Sequence, residues 1–299
     1  MREHPIHGKP GPLCRAILSN HPINITLHRA ALDGGSALFG VPRGTLVTST
    51  VRSGVPCKRI TGHQDSAGRM ILYLHGGGYM VGSQRTHKSL AAHLACIARA
   101  DSIVPHYRRS PEHPFPAALE DAYKAYLSLL DEGIDPSRIA LSGDSAGGGL
   151  TVALLLALKA MGQPLPSCAY LMSPWVDLSC SDLRFSVPLY KRTDVADWFS
   201  DFMAEMYVGS SDPAHPFISP VFGDLSGLPP LFVAVGKNEP LRRQSDLLVE
   251  KARQSGLDVT YKPYRSPVHV LQALAPFSGR IRNLLGKGGD FIRERCPAG

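Results

Sequence analysis

Ser145 lies in the run Gly143-Asp144-Ser145-Ala146-Gly147. A short apolar segment from Ile139 leads into it, and a run of Ala, Leu and Val continues to Met161. Strand, tight turn and helix are therefore expected around the serine, the setting of a nucleophile elbow. Such a turn holds the hydroxyl at a strand tip and at the head of a helix, whose partial positive charge favours a developing anion. A side chain at position 143 or 147 would crowd the neighbouring strand and helix. The five-residue pattern alone is weak, since short glycine and serine patterns recur by chance. Its partners decide.

The first partner is His75-Gly76-Gly77-Gly78-Tyr79, at the end of another apolar run. Gly76, Gly77 and Gly78 let the backbone approach a substrate closely and aim N–H groups at one point. Together with the N–H of Ala146 they would form an oxyanion hole. A phosphate-binding loop is the alternative, but the following Lys-Ser/Thr and the Gly-x-Gly-x-x-Gly pattern are missing. His75 precedes the hole and reads as a residue that orients the loop.

The second partner is a base. Only His215 and His269 follow Ser145, and His269 comes just after the last expected strand. The order serine, acid, histidine makes His269 the base. The acid should fix the histidine tautomer from a loop past the strand at 230–235. Glu239 and Asp246 are the candidates; Glu239 is on the loop itself and Asp246 falls inside an expected helix, so Glu239 is preferred.

The elements that must carry these residues follow a βα rhythm. Strands are expected at 56–61 (an edge strand), 69–75, 100–107, 139–144, 167–172, 230–235 and Val259–Tyr264. Helices are expected at 86–99, 116–132, 146–161, 241–255 and about 269–285, with Gly133 and Gly256 as stops. This order predicts an α/β fold with a mostly parallel sheet covered by helices on both faces. Residues 1–50 are irregular, with possible helical stretches at 13–19 and 26–32, and read as a covering segment. The interval from Pro174 to Pro229 has no clear βα unit. Its aromatic residues and the helical pattern at Asp194–Val208 suggest an insertion over the strand tips, where α/β folds bind ligands. Candidates for the pocket wall there are Trp175, Leu189, Trp198, Phe199 and Met203. Beside the loops of the site, Tyr79, Asp144 and Val270 are added.

Bulk composition narrows the function. The 299 residues are 43% hydrophobic and 19% charged, with no biased tract. The net charge of +7 comes from scattered Lys and Arg, so nucleic-acid binding is not indicated. The six cysteines form no Cys-x-x-Cys pair or metal spacing and read as free thiols in a reducing compartment. No apolar leader or membrane-length run is apparent, and a cytoplasmic protein is expected.

Taken together, His75-Gly-Gly-Gly-Tyr79, Gly143-Asp-Ser-Ala-Gly147, Tyr107-Arg-Arg-Ser-Pro-Glu-His-Pro-Phe-Pro-Ala-Ala118, Ser173-Pro-Trp-Val-Asp177 and the Glu239…His269 end resemble one family. It is that of the bacterial hormone-sensitive-lipase-like (family IV) esterases of the α/β-hydrolase superfamily. The resemblance spans about residues 55 to 275. It implies an α/β-hydrolase fold with about eight strands and a helical cap. That cap would be built from segment 1–50 and an insertion at about 178–215 within a catalytic domain at 51–299. It further implies a Ser145-Glu239-His269 triad, with oxyanion donors at Gly77, Gly78 and Ala146. The expected function is hydrolysis of short- to medium-chain acyl esters, with a small-molecule ester as partner and no cofactor or metal. A homodimer joined at an exposed edge strand near Val259–Tyr264 is possible. An amidase or peptidase on the same triad, or a ligand-binding protein on a hydrolase scaffold, are the alternatives. The family's binding relatives have lost the triad histidine, which this chain keeps. The chain departs from the family pattern at four places. Glu239 stands for Asp, His106 for the Asp before Tyr-Arg, Ser266-Pro267 for Gly-Met, and Arg109 for an apolar residue. Pro267 should stiffen the His269 loop.

Overall fold

The computed structural model describes residues 25–62, 66–179 and 194–298, without the side chains of 194–199. The expected helical stretch at 13–19, and Leu189 with most of the expected insertion's first half, lie outside the described residues. Eight strands make one sheet in the order β1-β2-β4-β3-β5-β6-β7-β8. These are β1 (Leu46–Arg52), β2 (Val55–Thr61), β3 (Met70–Leu74), β4 (Asp101–Pro105), β5 (Ile139–Asp144), β6 (Cys168–Met172), β7 (Leu231–Gly236) and β8 (Val259–Tyr264). From β4 to β8 all pairings are parallel, while β1–β2 and β2–β4 are antiparallel. Every residue of β3 to β7 is buried, which is why β3, β6 and β7 read as near-continuous apolar runs.

The helices are α1 (Ile25–Gly35), α2 (Lys88–Ala98), α3 (Ala117–Asp131), α4 (Ala146–Ala160), α5 (Asp194–Val208), α6 (Arg242–Gln254) and α7 (Gly279–Arg295). Two apolar cores divide them. Leu90 and Leu94 of α2 join Phe291 and Ile292 of α7 on one sheet face, against Ile71, Tyr73 and Tyr170. On the other face Tyr126 and Leu129 of α3, Leu150 and Leu154 of α4 and Leu248 of α6 cover Leu72, Leu141 and Val233.

Two elements depart from the sequence reading. Residues 46–52 form β1, so the segment at 56–61 is not an edge strand but the second strand of the sheet. The alternating β-branched residues of β1 pair on one side only, with β2. The last helix is also displaced. A 3-10 turn at Leu271–Phe277 contains Pro276, and α7 starts afresh at Gly279, with the Ser278 side chain capping the Ile281 N–H. It then runs ten residues beyond the expected end at 285. Among the described residues no helix is long and apolar enough to cross a membrane.

Candidate active site

Ser145 stands between β5 and α4 with φ 53° and ψ −123°, a backbone conformation that turns the chain sharply. The turn is pinned on both sides. Its N–H donates to the Met172 carbonyl at 2.9 Å, and its carbonyl accepts from Trp175 N–H at 2.9 Å. Gly147 is required by close approach, because a Cβ there would meet the carbonyl groups of Leu74 and His75.

His269 lies on the loop after β8. Its Nε2 is 2.9 Å from Ser145 Oγ, and its Nδ1 is 3.3 Å from Glu239 Oε1. Glu239 is only 2% exposed. Its other oxygen, Oε2, accepts from Gly236 N–H and from the Ser173 hydroxyl, each at 2.9 Å. Those two donors hold the carboxylate so that Oε1 is left for the imidazole. The histidine loop is itself tied down, since Val268 N–H donates to Ser266 Oγ at 2.9 Å and Asn238 N–H to the Ser266 carbonyl at 3.3 Å. The other acid candidate is engaged elsewhere: Asp246 pairs with Arg242 at 2.8 Å and accepts from the Tyr261 hydroxyl. His215 sits between the rings of Phe115 and Phe217 and accepts from Phe217 N–H.

The glycine loop runs on from β3. Gly77 and Gly78 have φ +114° and +59°. A Cβ on Gly78 would displace the end of the Met203 side chain of α5, and the left-handed backbone there favours glycine. Among the described residues no acceptor takes the N–H of Gly77, Gly78 or Ala146. Gly76 differs and corrects its grouping with the oxyanion donors: its N–H is given to Asp144 Oδ1 at 3.2 Å. His75 is fully buried and donates from Nδ1 to the Gly76 carbonyl at 2.9 Å. Burial, and then the neighbouring His87, hold its pKa well below the ordinary histidine value.

Of the pocket-wall candidates, Met203 borders the loop directly. Tyr79 is buried and stacks on Tyr207 with ring centroids 3.6 Å apart. Trp175 is buried and donates from Nε1 to the Asp177 carbonyl. Val270 follows His269 and is buried, with φ 49°. Asp144 is no pocket wall, for its carboxylate is buried in hydrogen bonds beneath the glycine loop. Leu189 and the side chains of Trp198 and Phe199 lie outside the described residues.

Sequence reasoning assigned no role to Ser173, although its stretch carried part of the resemblance. It also missed the contacts of α1 with the glycine loop. Arg29 donates from Nε to the Met80 carbonyl at 2.7 Å and pairs with Glu112 at 2.7 Å. The Ser83 hydroxyl donates to Asp33. The hydrogen bonds from Arg29 hold the Glu112 carboxyl down at about 2. Two departures from the family pattern meet at the same place: Arg109 donates to the Gly82 carbonyl and lies 3.4 Å from His106 Nε2. Among the described residues no group of three His, Cys, Asp or Glu could hold a metal ion.

The model of the α/β-hydrolase fold matches residues 71–273. An acetyl-hydrolase of Streptomyces hygroscopicus is 41% identical over 279 residues, covering 91% of this chain and 90% of that protein. An esterase of Acinetobacter venetianus is 38% identical over 67% of each chain. A solved esterase of the bacterial hormone-sensitive lipase family superposes with a TM-score of 0.86 at 35% identity, covering 99% of this chain and 100% of that one. The chain belongs to the α/β-hydrolase family, among the carboxylesterases of the bacterial hormone-sensitive lipase group.

Proposed function

We propose that the protein hydrolyses short- to medium-chain acyl esters through a Ser145-His269-Glu239 triad and an acyl-enzyme. The observation that carries this reading is the pair of contacts at His269, 2.9 Å to the Ser145 hydroxyl and 3.3 Å to the buried Glu239. Ser145 attacks the ester carbonyl as His269 Nε2 takes its proton. Glu239 keeps Nδ1 protonated and stabilises the imidazolium that forms. The oxyanion is met by the N–H groups of Gly77, Gly78 and Ala146. His269 then protonates the leaving alcohol, and water activated by the same imidazole releases the acid.

Met203 over Gly78 supports a limit on acyl length, since its side chain occupies the space beside the oxyanion donors. The bonds from α1 to Met80 and Ser83 support a covering role for the N-terminal segment. A homodimer through β8 belongs to the same reading, since that strand ends the sheet. Sedimentation would test it.

The test is hydrolysis of p-nitrophenyl esters from acetate to laurate by the wild type and Ser145→Ala. Activity should peak at short to medium chains and be absent from the variant. Wild-type rates in Ser145→Ala would overturn the reading. A matched amide separates esterase from amidase.

A further inference from the structure

Asp144 is the residue before Ser145 and is 3% exposed. A carboxylate so placed must be hydrogen-bonded and charge-balanced, or it takes up a proton. Oδ1 accepts from the Tyr73 hydroxyl at 2.7 Å and from Gly76 N–H at 3.2 Å. A Cβ on Gly76 would overlap Oδ2, so the glycine loop is laid directly against this group. Neither donor brings a charge. Oδ2 lies 3.4 Å from Nε2 of His87, at the head of α2, the one ion-pair partner of Asp144 among the described residues.

The other nitrogen of His87 meets a hydroxyl. Nδ1 is 2.7 Å from Thr86 Oγ1. That hydroxyl donates its single hydrogen to the Ser83 carbonyl at 2.9 Å and receives the Ser83 N–H at 2.8 Å. With that hydrogen on the Ser83 carbonyl, the oxygen accepts from Nδ1 and the Asp144 carboxylate accepts from Nε2, so the imidazolium satisfies both contacts. The neutral ring protonated at Nε2 satisfies them only if the hydroxyl turns to Nδ1 and leaves the Ser83 carbonyl to the His87 backbone N–H, 3.2 Å away.

We infer that His87 is a positioning residue for ester hydrolysis. As an imidazolium it keeps Asp144 ionised, and Asp144 fixes Gly76 and with it the N–H groups of Gly77 and Gly78. This rests on the esterase reading above. The surroundings agree. Burial opposes the charge on both partners, but Asp144 holds the His87 pKa above the ordinary value, and His87 holds that of Asp144 below it. The other groups facing His87 are the neutral His75, stacked at 5.4 Å, and the Tyr73 ring at 6.4 Å. Behind His75 stand Tyr107, stacked on it, and His106 and Arg109, of which the Arg109 charge disfavours a second imidazolium there.

One protonation then bounds the activity on the alkaline side. His87 must be charged, so rates fall as pH rises through its raised pKa. The sign for stability agrees. A raised histidine pKa contributes below its unfolded value, and the contribution is lost as pH rises through the folded one.

The test has two arms on the full chain. In the first, ¹⁵N-histidine NMR reads the protonation of each ring against pH, with the His87 signals assigned by their loss in His87→Gln. Both His87 nitrogens should be protonated at neutral pH. In the second, pH profiles of kcat and KM are compared for the wild type, His87→Gln, Asp144→Asn and the double variant. His87→Gln should lower kcat roughly ten- to a hundredfold by displacing the oxyanion donors, with KM nearly unchanged and the alkaline limb gone. Asp144→Asn added to it should restore kcat by roughly tenfold, because Asn still accepts from Gly76 and leaves no buried charge to balance. A neutral His87 across about pH 6 to 8 would overturn the inference, whether or not the variants fold. So would an alkaline limb and kcat kept intact in His87→Gln. An active Ser145→Ala protein, by contrast, overturns the esterase mechanism and leaves the NMR result standing.

Discussion

Glu239 reaches His269 with one oxygen because the other is clamped by Ser173 and Gly236. Glu239→Gln replaces one oxygen by an NH2: facing the imidazole it donates to Nδ1 and reverses the histidine tautomer, and facing Gly236 it sets two donors against each other and opens the clamp. By analogy with other serine-hydrolase triads, kcat should fall about ten-thousandfold, short of the millionfold loss expected for Ser145→Ala. Asp246→Asn, at a residue whose hydrogen-bond partners among the described residues are Arg242 and Tyr261, should keep wild-type kcat. Single-turnover kinetics on a p-nitrophenyl ester check all three. At this scale the sequence is read best where a local pattern carries the chemistry, as at Ser145, or where few candidates exist, as at His269. It is read worst where a role depends on a contact across many residues. The bond from Gly76 to Asp144 spans 68 positions and withdraws one glycine N–H from the oxyanion group. No spacing rule announces that, nor the hold of Ser173 on Glu239.

Elements were legible wherever a strand is buried on both faces or a helix has one apolar side. β3 to β7 and α3, α4 and α6 follow their patterns closely, and Gly133 and Gly256 stop their helices with φ of +79° each. Two elements resisted for physical reasons. β1 is half exposed and follows a Pro- and Gly-rich stretch, so its β-branched residues were outweighed by their neighbourhood. α7 contains Gly286, Gly288 and Gly289, which argue locally against a helix. The tertiary structure supplies the reason for two of them. A Cβ at Gly288 would run into the ring of the buried Tyr170, and one at Gly289 into Ile97. The helix thus approaches the sheet and α2 more closely than any larger residue permits. Gly286 has nothing within 4 Å of that position. Gly286→Ala should therefore stabilise the protein by about 0.5–1 kcal/mol through helix propensity and unfolded-chain entropy. Gly288→Ala should instead destabilise it by about 1–3 kcal/mol, because overpacking outweighs the same propensity gain. Paired urea denaturation curves would read the opposite signs.

Across the whole molecule, the parallel strands deliver their C-terminal ends to one rim, and Ser145, Glu239 and His269 follow β5, β7 and β8 there. The fold was legible at this scale because the βα order leaves few ways to connect a parallel sheet. The antiparallel start was not, since it depends on pairing between β1, β2 and β4 rather than on any single segment. The same rim gathers unusual backbone. Among the described residues seven non-glycine residues have positive φ, and Tyr79, Ser145, Ser173 and Val270 among them lie at or beside the glycine loop, Ser145, Glu239 and His269. Each such residue costs on the order of 1–3 kcal/mol, which the packed sheet beneath must outweigh. Reactivity and durability are thus opposed at single positions. Ser145→Gly, inert toward esters, should melt above the wild type, and calorimetry would register the difference. A lineage selected only to persist would drift toward glycine at this turn. The serine is kept at the expense of thermal endurance, so an ageing stock of this protein should hold its fold less well than its own inactive variant.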